Sequence, residues 1–337
     1  WRESYRRCVQ IGDSAGMGAA LGNIGAGYYQ SNELDSADHY LARARAIAEP
    51  IRDWRTAGNA VGTLAEIQSD RGALGRAADL YTLAADIRSR TGDARGAAAD
   101  RNNLGLIAGQ LGDLRRARRA FDSAFASNRA AGREEPAAAN LINLGNLSSL
   151  EGDYPGADAR YREALALYRA HGNRVDAASV LRALGLLALQ RGDYHQALER
   201  FTEALGVYRQ TGPVADEIDV RREISLTHAA MGNLEGALIQ LRRAEALAGH
   251  ERPGPDQAAE LAQLALAHAD LAVQFNIYAE VEQHYVRAEK LFREAGDSRG
   301  QADAESGLGL LLALRSDFHG ALTRISLALR TQEAIGD

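Results

Sequence analysis

Apolar residues recur at steps of three and four along almost the whole chain, as at Ala157, Tyr161, Ala164, Leu165 and Tyr168, and no segment alternates with a period of two. That spacing lays one apolar stripe along one helix face, so the periodic segments predict helices and no strand. The polar positions are punctuated as regularly. A Gly followed by a small or polar residue falls on a forty-residue grid at Gly12-Asp13, Gly92-Asp93, Gly132-Arg133, Gly172-Asn173 and Gly212-Pro213, then at Gly296-Asp297 and Gly336-Asp337. The slots at Arg52-Asp53 and Arg252-Pro253 lack the Gly. A second series lies halfway between, at Gly72-Ala73, Gly112-Asp113, Gly152-Asp153, Gly192-Asp193 and Gly232-Asn233. Each unit therefore holds two helices and two breaks, the signature of a repeat architecture. Asp113, Asp153 and Asp193 stand where a helix N-cap is wanted, each after a Gly that can turn the chain.

Eight units follow, beginning at Asp13, Asp53, Asp93, Arg133, Asn173, Pro213, Pro253 and Asp297, which predicts a single array over 13–337 with residues 1–12 as the end of a preceding helix. The seventh unit is four residues too long. Its surplus falls between Leu266 and Tyr278, where the expected Gly is missing, so either the turn is longer or the first helix is extended. Two alanine series mark close helix approach in the second helix of each unit: Ala37, Ala77, Ala117, Ala157, Ala197, Ala237 and Ala321, broken by Val281, and Ala44, Ala84, Ala124, Ala164, Ala204, Ala244, Ala288 and Ala328. The first helices carry Asn23-Ile24-Gly25, Asn103-Leu104-Gly105, Asn143-Leu144-Gly145, Ala183-Leu184-Gly185 and Gly307-Leu308-Gly309, where the aliphatic residue fills a core and the Gly admits a partner helix.

With Leu-Gly in the first helix and two small residues in the second, the chain resembles the tetratricopeptide repeat family over essentially its whole length. The forty-residue period is similar to a long-repeat subclass that includes Pins-type scaffolds of spindle orientation and the arrays of bacterial signalling and CHAT-protease proteins. It departs from the generic repeat of about 34 residues, and the family's terminal Pro is absent from most units, which extra helical turns explain. The resemblance implies an all-α fold, a right-handed α-solenoid of about eight antiparallel helix pairs. It also implies a non-enzymatic protein-protein interaction scaffold that binds a peptide or partner segment in a concave groove, as the sensor or recruitment arm of a larger bacterial signalling protein.

The inner wall of such a superhelix is built largely from one face of each first helix. Counting three and four residues around the Asn-Leu-Gly site puts Asn59, Thr63, Glu66 and Asp70 on that wall, then Asn102, Asn103 and Gln110, then Asn143, Asn146 and Ser149, then Arg182 and Gln190, then Asp219, Arg222 and Glu223. The stripe reads as polar and amide-rich. Asn can pair with the backbone of an extended peptide whatever its sequence, and Arg offers a fork to a carboxylate. The candidate peptide-binding residues are Asn59, Glu66, Asn102, Asn103, Asn143, Asn146, Arg182, Arg222 and Glu223, against the plainer reading that each Asn bonds within its own repeat.

Composition narrows the partners. The 39 basic residues against 45 acidic leave a net charge of −6, so nucleic acid is not expected, and runs such as Arg115-Arg116 and Arg118-Arg119 read as a solvated outer face. No run of about 18 apolar residues marks a membrane span, the lone Cys8 permits no internal disulfide, and a cytoplasmic location is the expectation. His228 and His268 hold equivalent places in successive units without the further ligands that a zinc site needs, so neither a metal nor a cofactor is expected. The start at Trp1 suggests an excised piece, and the lack of obvious polar capping helices favours stacking of open ends. Head-to-tail self-association into oligomers or filaments, through residues such as Ile325 and Leu327, is the alternative function.

Overall fold

The computed structural model describes residues 1–248, 255–275, 277 and 281–335, and among these it contains seventeen helices and no strand. The contacts group the chain into two units. The first, Trp1–Gly172, holds α1 (Arg2–Ile11), α2 (Ser14–Gln30), α3 (Leu34–Ala48), α4 (Trp54–Asp70), α5 (Leu74–Arg90), α6 (Ala94–Gln110), α7 (Leu114–Ala130), α8 (Glu134–Leu150) and α9 (Tyr154–Ala170). The second, Asn173–Asp337, holds α10 (Arg174–Gln190), α11 (Tyr194–Thr211), α12 (Val214–Ala230), α13 (Leu234–Ala248), α14 (Pro255–Gln274), α15 (Val281–Ala295), α16 (Ser298–Leu314) and α17 (Phe318–Ile335). In each unit every even-numbered helix packs on the odd-numbered helix that follows it, and the pairs stack on their neighbours: an α-solenoid of helix pairs.

The punctuation read from the sequence has the stereochemistry it needs. Asp13, Asp53, Asp93, Asp113 and Asp153 in the first unit, and Asn173, Asp193 and Asp297 in the second, accept from the backbone N–H three residues on and so cap their helices. The turn glycines from Gly72 to Gly192, with Gly232 and Gly296, lie at φ between 66° and 80°, the left-handed region that costs Gly nothing. Arg52, in the slot without a Gly, adopts φ 58° all the same. Gly212 does not turn this way: it is extended at φ −90° and leads into Pro213, whose ring fixes the entry to α12.

Both alanine series are buried, and the glycine of the Leu-Gly pair faces a bulky side chain on the second helix. A Cβ on Gly105, Gly145 or Gly185 would stand 2.5 Å from the ring of Phe121, Tyr161 or Phe201, so the two helices approach as far as a bare backbone allows. The surplus of the seventh unit goes into its first helix, since α14 has 20 residues and runs on to Gln274, where the other first helices have 17. The Arg252-Pro253 slot, Tyr278 and the Gly336-Asp337 pair lie outside the described residues.

Candidate interaction site

In the first unit, α4, α6 and α8 carry the amides singled out above, and the structure ties these amides to one another. Asn102 Oδ1 accepts from Asn140 Nδ2 and from Asn143 Nδ2, both at 2.9 Å, and Asn140 Oδ1 accepts from Asn128 Nδ2 at 2.7 Å. Asn128 and Asn140 are buried, and they join α7 to the first helix of the next pair. Forty residues earlier the same two places hold Arg88 and Asp100, with Nη1 2.6 Å from Oδ1. Arg88 also donates to Asn59 Oδ1 at 3.3 Å. Asp100 Oδ2 has no partner, and burial pushes this carboxyl from an ordinary 3.8 up to about 6 in spite of Arg88. Burial raises Glu66 as well. Asn103 hydrogen-bonds to the Tyr81 phenol, and Asn146 Oδ1 accepts from Tyr161 at 2.6 Å. A cleft of about 600 Å³ opens beside Asn102, Asn128 and Asn140, edged by Arg95, Arg133 and a His171–Glu134 pair at 3.3 Å.

The second unit arranges its face differently. Arg182 on α10 donates from Nε to Glu223 Oε1 at 2.7 Å and stands 3.0 Å from Asp219, while Arg222 pairs with Asp219 at 3.1 Å and donates to Gln263 on α14. The ion pairs of Arg182 join α10 to α12, and the Arg222–Gln263 hydrogen bond carries the link to α14. Glu223 is only 6% exposed, its Oε2 has no partner, and burial raises its carboxyl. Beside it lies a cleft of about 390 Å³ whose wall includes Leu186, Leu226, Leu266 and Leu271, with Arg222, Gln263, Asp270 and Gln274 among its polar groups. Leu226 is 52% exposed and Leu186 38%.

These leucines add apolar positions to a stripe read as polar and amide-rich. Leu106, Leu186, Leu226 and Leu266 hold the same register as Glu66 and Asn146, and all but Leu266 are exposed. Their recurrence on the forty-residue grid was the available signal. It does not separate a leucine that lines a core from one that faces solvent. His268 is buried, with its Nδ1 3.1 Å from Glu245 and its ring packed on His284 at 5.1 Å, while His228 lies beside Asn233. Among the described residues no group of three or more His, Cys, Asp or Glu side chains is placed to hold a metal ion. Of the arginine runs, Arg116 stands 3.6 Å from Asp79, and Arg118 pairs with Glu151. No described helix is long and apolar enough to cross a membrane.

The family model described as tetratricopeptide repeat matches residues 136–210. Those residues are tetratricopeptide repeats. The repeat fold is shared by solved structures over most of the chain. The apo form of the quorum sensor NprR from B. thuringiensis is similar at a TM-score of 0.68 and 14% identity, covering 95% of this chain and 88% of that one. A tetratricopeptide repeat protein from Parabacteroides merdae ATCC 43184 is similar at a TM-score of 0.61 and 14% identity, covering 85% and 98%. A Rap protein complexed with competence and sporulation factor is similar at a TM-score of 0.54 and 16% identity, covering 84% and 76%. At these identities the likeness is one of fold. No curated protein matches the chain's sequence.

Proposed function

We propose that the chain is a non-enzymatic protein-interaction scaffold, one cytoplasmic array over 13–337 whose first-helix face receives a peptide or partner segment. The observation that carries this reading is the cleft of the second unit, where exposed Leu186 and Leu226 lie beside ion-paired Arg222 and Glu223. An apolar wall with a few fixed polar groups is what a partner segment needs in order to bury side chains and keep its orientation. Arg182, Arg222 and Glu223 form the polar edge of that site. Asn59, Glu66, Asn102, Asn103, Asn143 and Asn146 extend the face in the first unit, with much of their hydrogen bonding given to neighbouring helices. The fold it shares with a Rap protein complexed with competence and sporulation factor supports the same reading.

The test is selection of random dodecapeptides on the full chain, followed by titration of the enriched peptides against Leu186→Glu and Leu226→Glu variants whose helicity and melting match wild type. Loss of binding by both variants supports the site. Binding that neither variant disturbs removes it. Self-association is the second reading, and it draws on α17, where Phe318, Leu322, Ile325 and Leu329 are exposed. Sedimentation that gives the monomer mass at every concentration would end it, whereas a rising mass that Ile325→Glu abolishes would place it first.

A further inference from the structure

The apolar wall of the second-unit cleft has a negative floor. Glu223 Oε2 is buried without a partner although Oε1 of the same carboxylate is paired to Arg182. A charged acceptor left unmet in a buried place is costly, and a donor that arrives with a ligand relieves that cost. Four carboxylates, Asp219, Glu223, Glu260 and Asp270, share this face with two guanidinium groups, Arg182 and Arg222, so two positive charges set against four negative leave a formal excess of −2. Burial raises the carboxyls of Glu223, Glu260 and Asp270 alike, as expected of acids short of compensating charge. An incoming anion would meet this excess as repulsion.

We propose that this cleft takes a peptide in which a basic side chain lies next to bulky apolar ones, the cation meeting Glu223 and the apolar side chains meeting Leu186, Leu226 and Leu266. The inference rests on the reading of this face as the binding surface and adds the chemistry of the ligand. The exposed leucines supply the area to be buried, and the Arg182 ion pair holds Glu223 at the cleft, where its buried, unpartnered Oε2 is left for a cation that enters with the ligand.

The experiment uses dodecapeptides selected on the full chain. Each enriched peptide is synthesised as found and with its Lys or Arg replaced by norleucine, and both forms are titrated against wild type and Glu223→Gln. The expected result is enrichment of Lys or Arg near Leu, Ile or Phe, a loss of about tenfold or more on wild type when norleucine replaces the basic residue, and a much smaller loss on Glu223→Gln. The comparison of the two peptides on wild type stands even if the variant folds poorly. Peptides that Leu226→Glu abolishes but that carry no basic residue, or whose norleucine forms bind wild type equally well, would overturn this inference and leave the scaffold reading in place. Failure to enrich any peptide sensitive to Leu186→Glu or Leu226→Glu would overturn both.

Discussion

The two units use one repeat plan to opposite ends. On the first-helix face of the first unit, polar side chains bond across helices: Asn102 to Asn140 and Asn143, Asn140 to Asn128, Asp100 to Arg88. On the corresponding face of the second unit, Leu186 and Leu226 are exposed beside a carboxylate, Glu223, whose Oε2 is buried without a partner. Groups that satisfy one another stabilise the fold and have less to give a ligand. Exposed leucines stabilise the fold little and leave apolar area that a partner can bury. On the reading proposed here, the amides of the first unit stabilise the fold and the exposed leucines of the second are the surface that a partner covers.

That contrast is sharpest at Arg88. Replacing it with Met keeps its packing against the α4 backbone but leaves Asp100 buried without its cation, and we expect a loss of about 3–5 kcal/mol at neutral pH, read by denaturant unfolding. Asp100→Asn, which copies the amide at position 140, should cost about 1 kcal/mol or less. The pH dependence carries the same signature. In the unfolded chain the Asp100 carboxyl titrates near its ordinary 3.8 and in the fold near 6, so between those values the native state holds the extra proton. Its contribution to stability falls as pH rises through that window, and the fall should be absent from Asp100→Asn when melting is compared at pH 4 and pH 6.

Smaller effects follow along both faces. Gly185→Ala forces a Cβ against Phe201 and should cost about 1–3 kcal/mol in thermal unfolding, with Phe201→Leu restoring part of it. Asn140→Leu strands the buried amide of Asn128, while Asn102 keeps Asn143, and should cost about 1–3 kcal/mol with a matching loss of amide exchange protection in α7 and α8. Leu226→Glu sits at the far end of the scale, with about 0.5 kcal/mol or less in stability because half of the side chain already faces water, alongside a clear loss of peptide binding. If Leu226→Glu destabilised the fold as much as Asn140→Leu, the division between the two faces would collapse.

The helices, their caps and the close approach at Gly105, Gly145 and Gly185 were all legible in the sequence, because each depends on chemistry within one repeat. Asp113 caps its own helix whatever lies beyond it. The pairs that join repeats were not legible. Arg88 and Asp100 lie twelve residues apart on different helices, and nothing at either position says that one helix will carry its side chain to the other. The leucines were missed for a related reason: Leu184 and Leu186 look alike in a sequence, yet one lines the core and the other faces solvent. Helical spacing puts the two on opposite faces, and the packing of neighbouring pairs decides which face stays exposed.

An array of pairs built on one plan carries a hazard for folding, since a second helix can dock on the first helix of the wrong repeat and find much the same alanines and leucines there. The changing chemistry at one pair of positions guards against this. Were α5 to settle on α8, Arg88 would face Asn140 in place of a carboxylate, and Asp100 would be left to face Asn128, a buried acid without its cation. The misdocked chain would therefore lose an ion pair and an amide pair together, so the α5–α6 and α7–α8 junctions each accept their own polar couple and reject the other's.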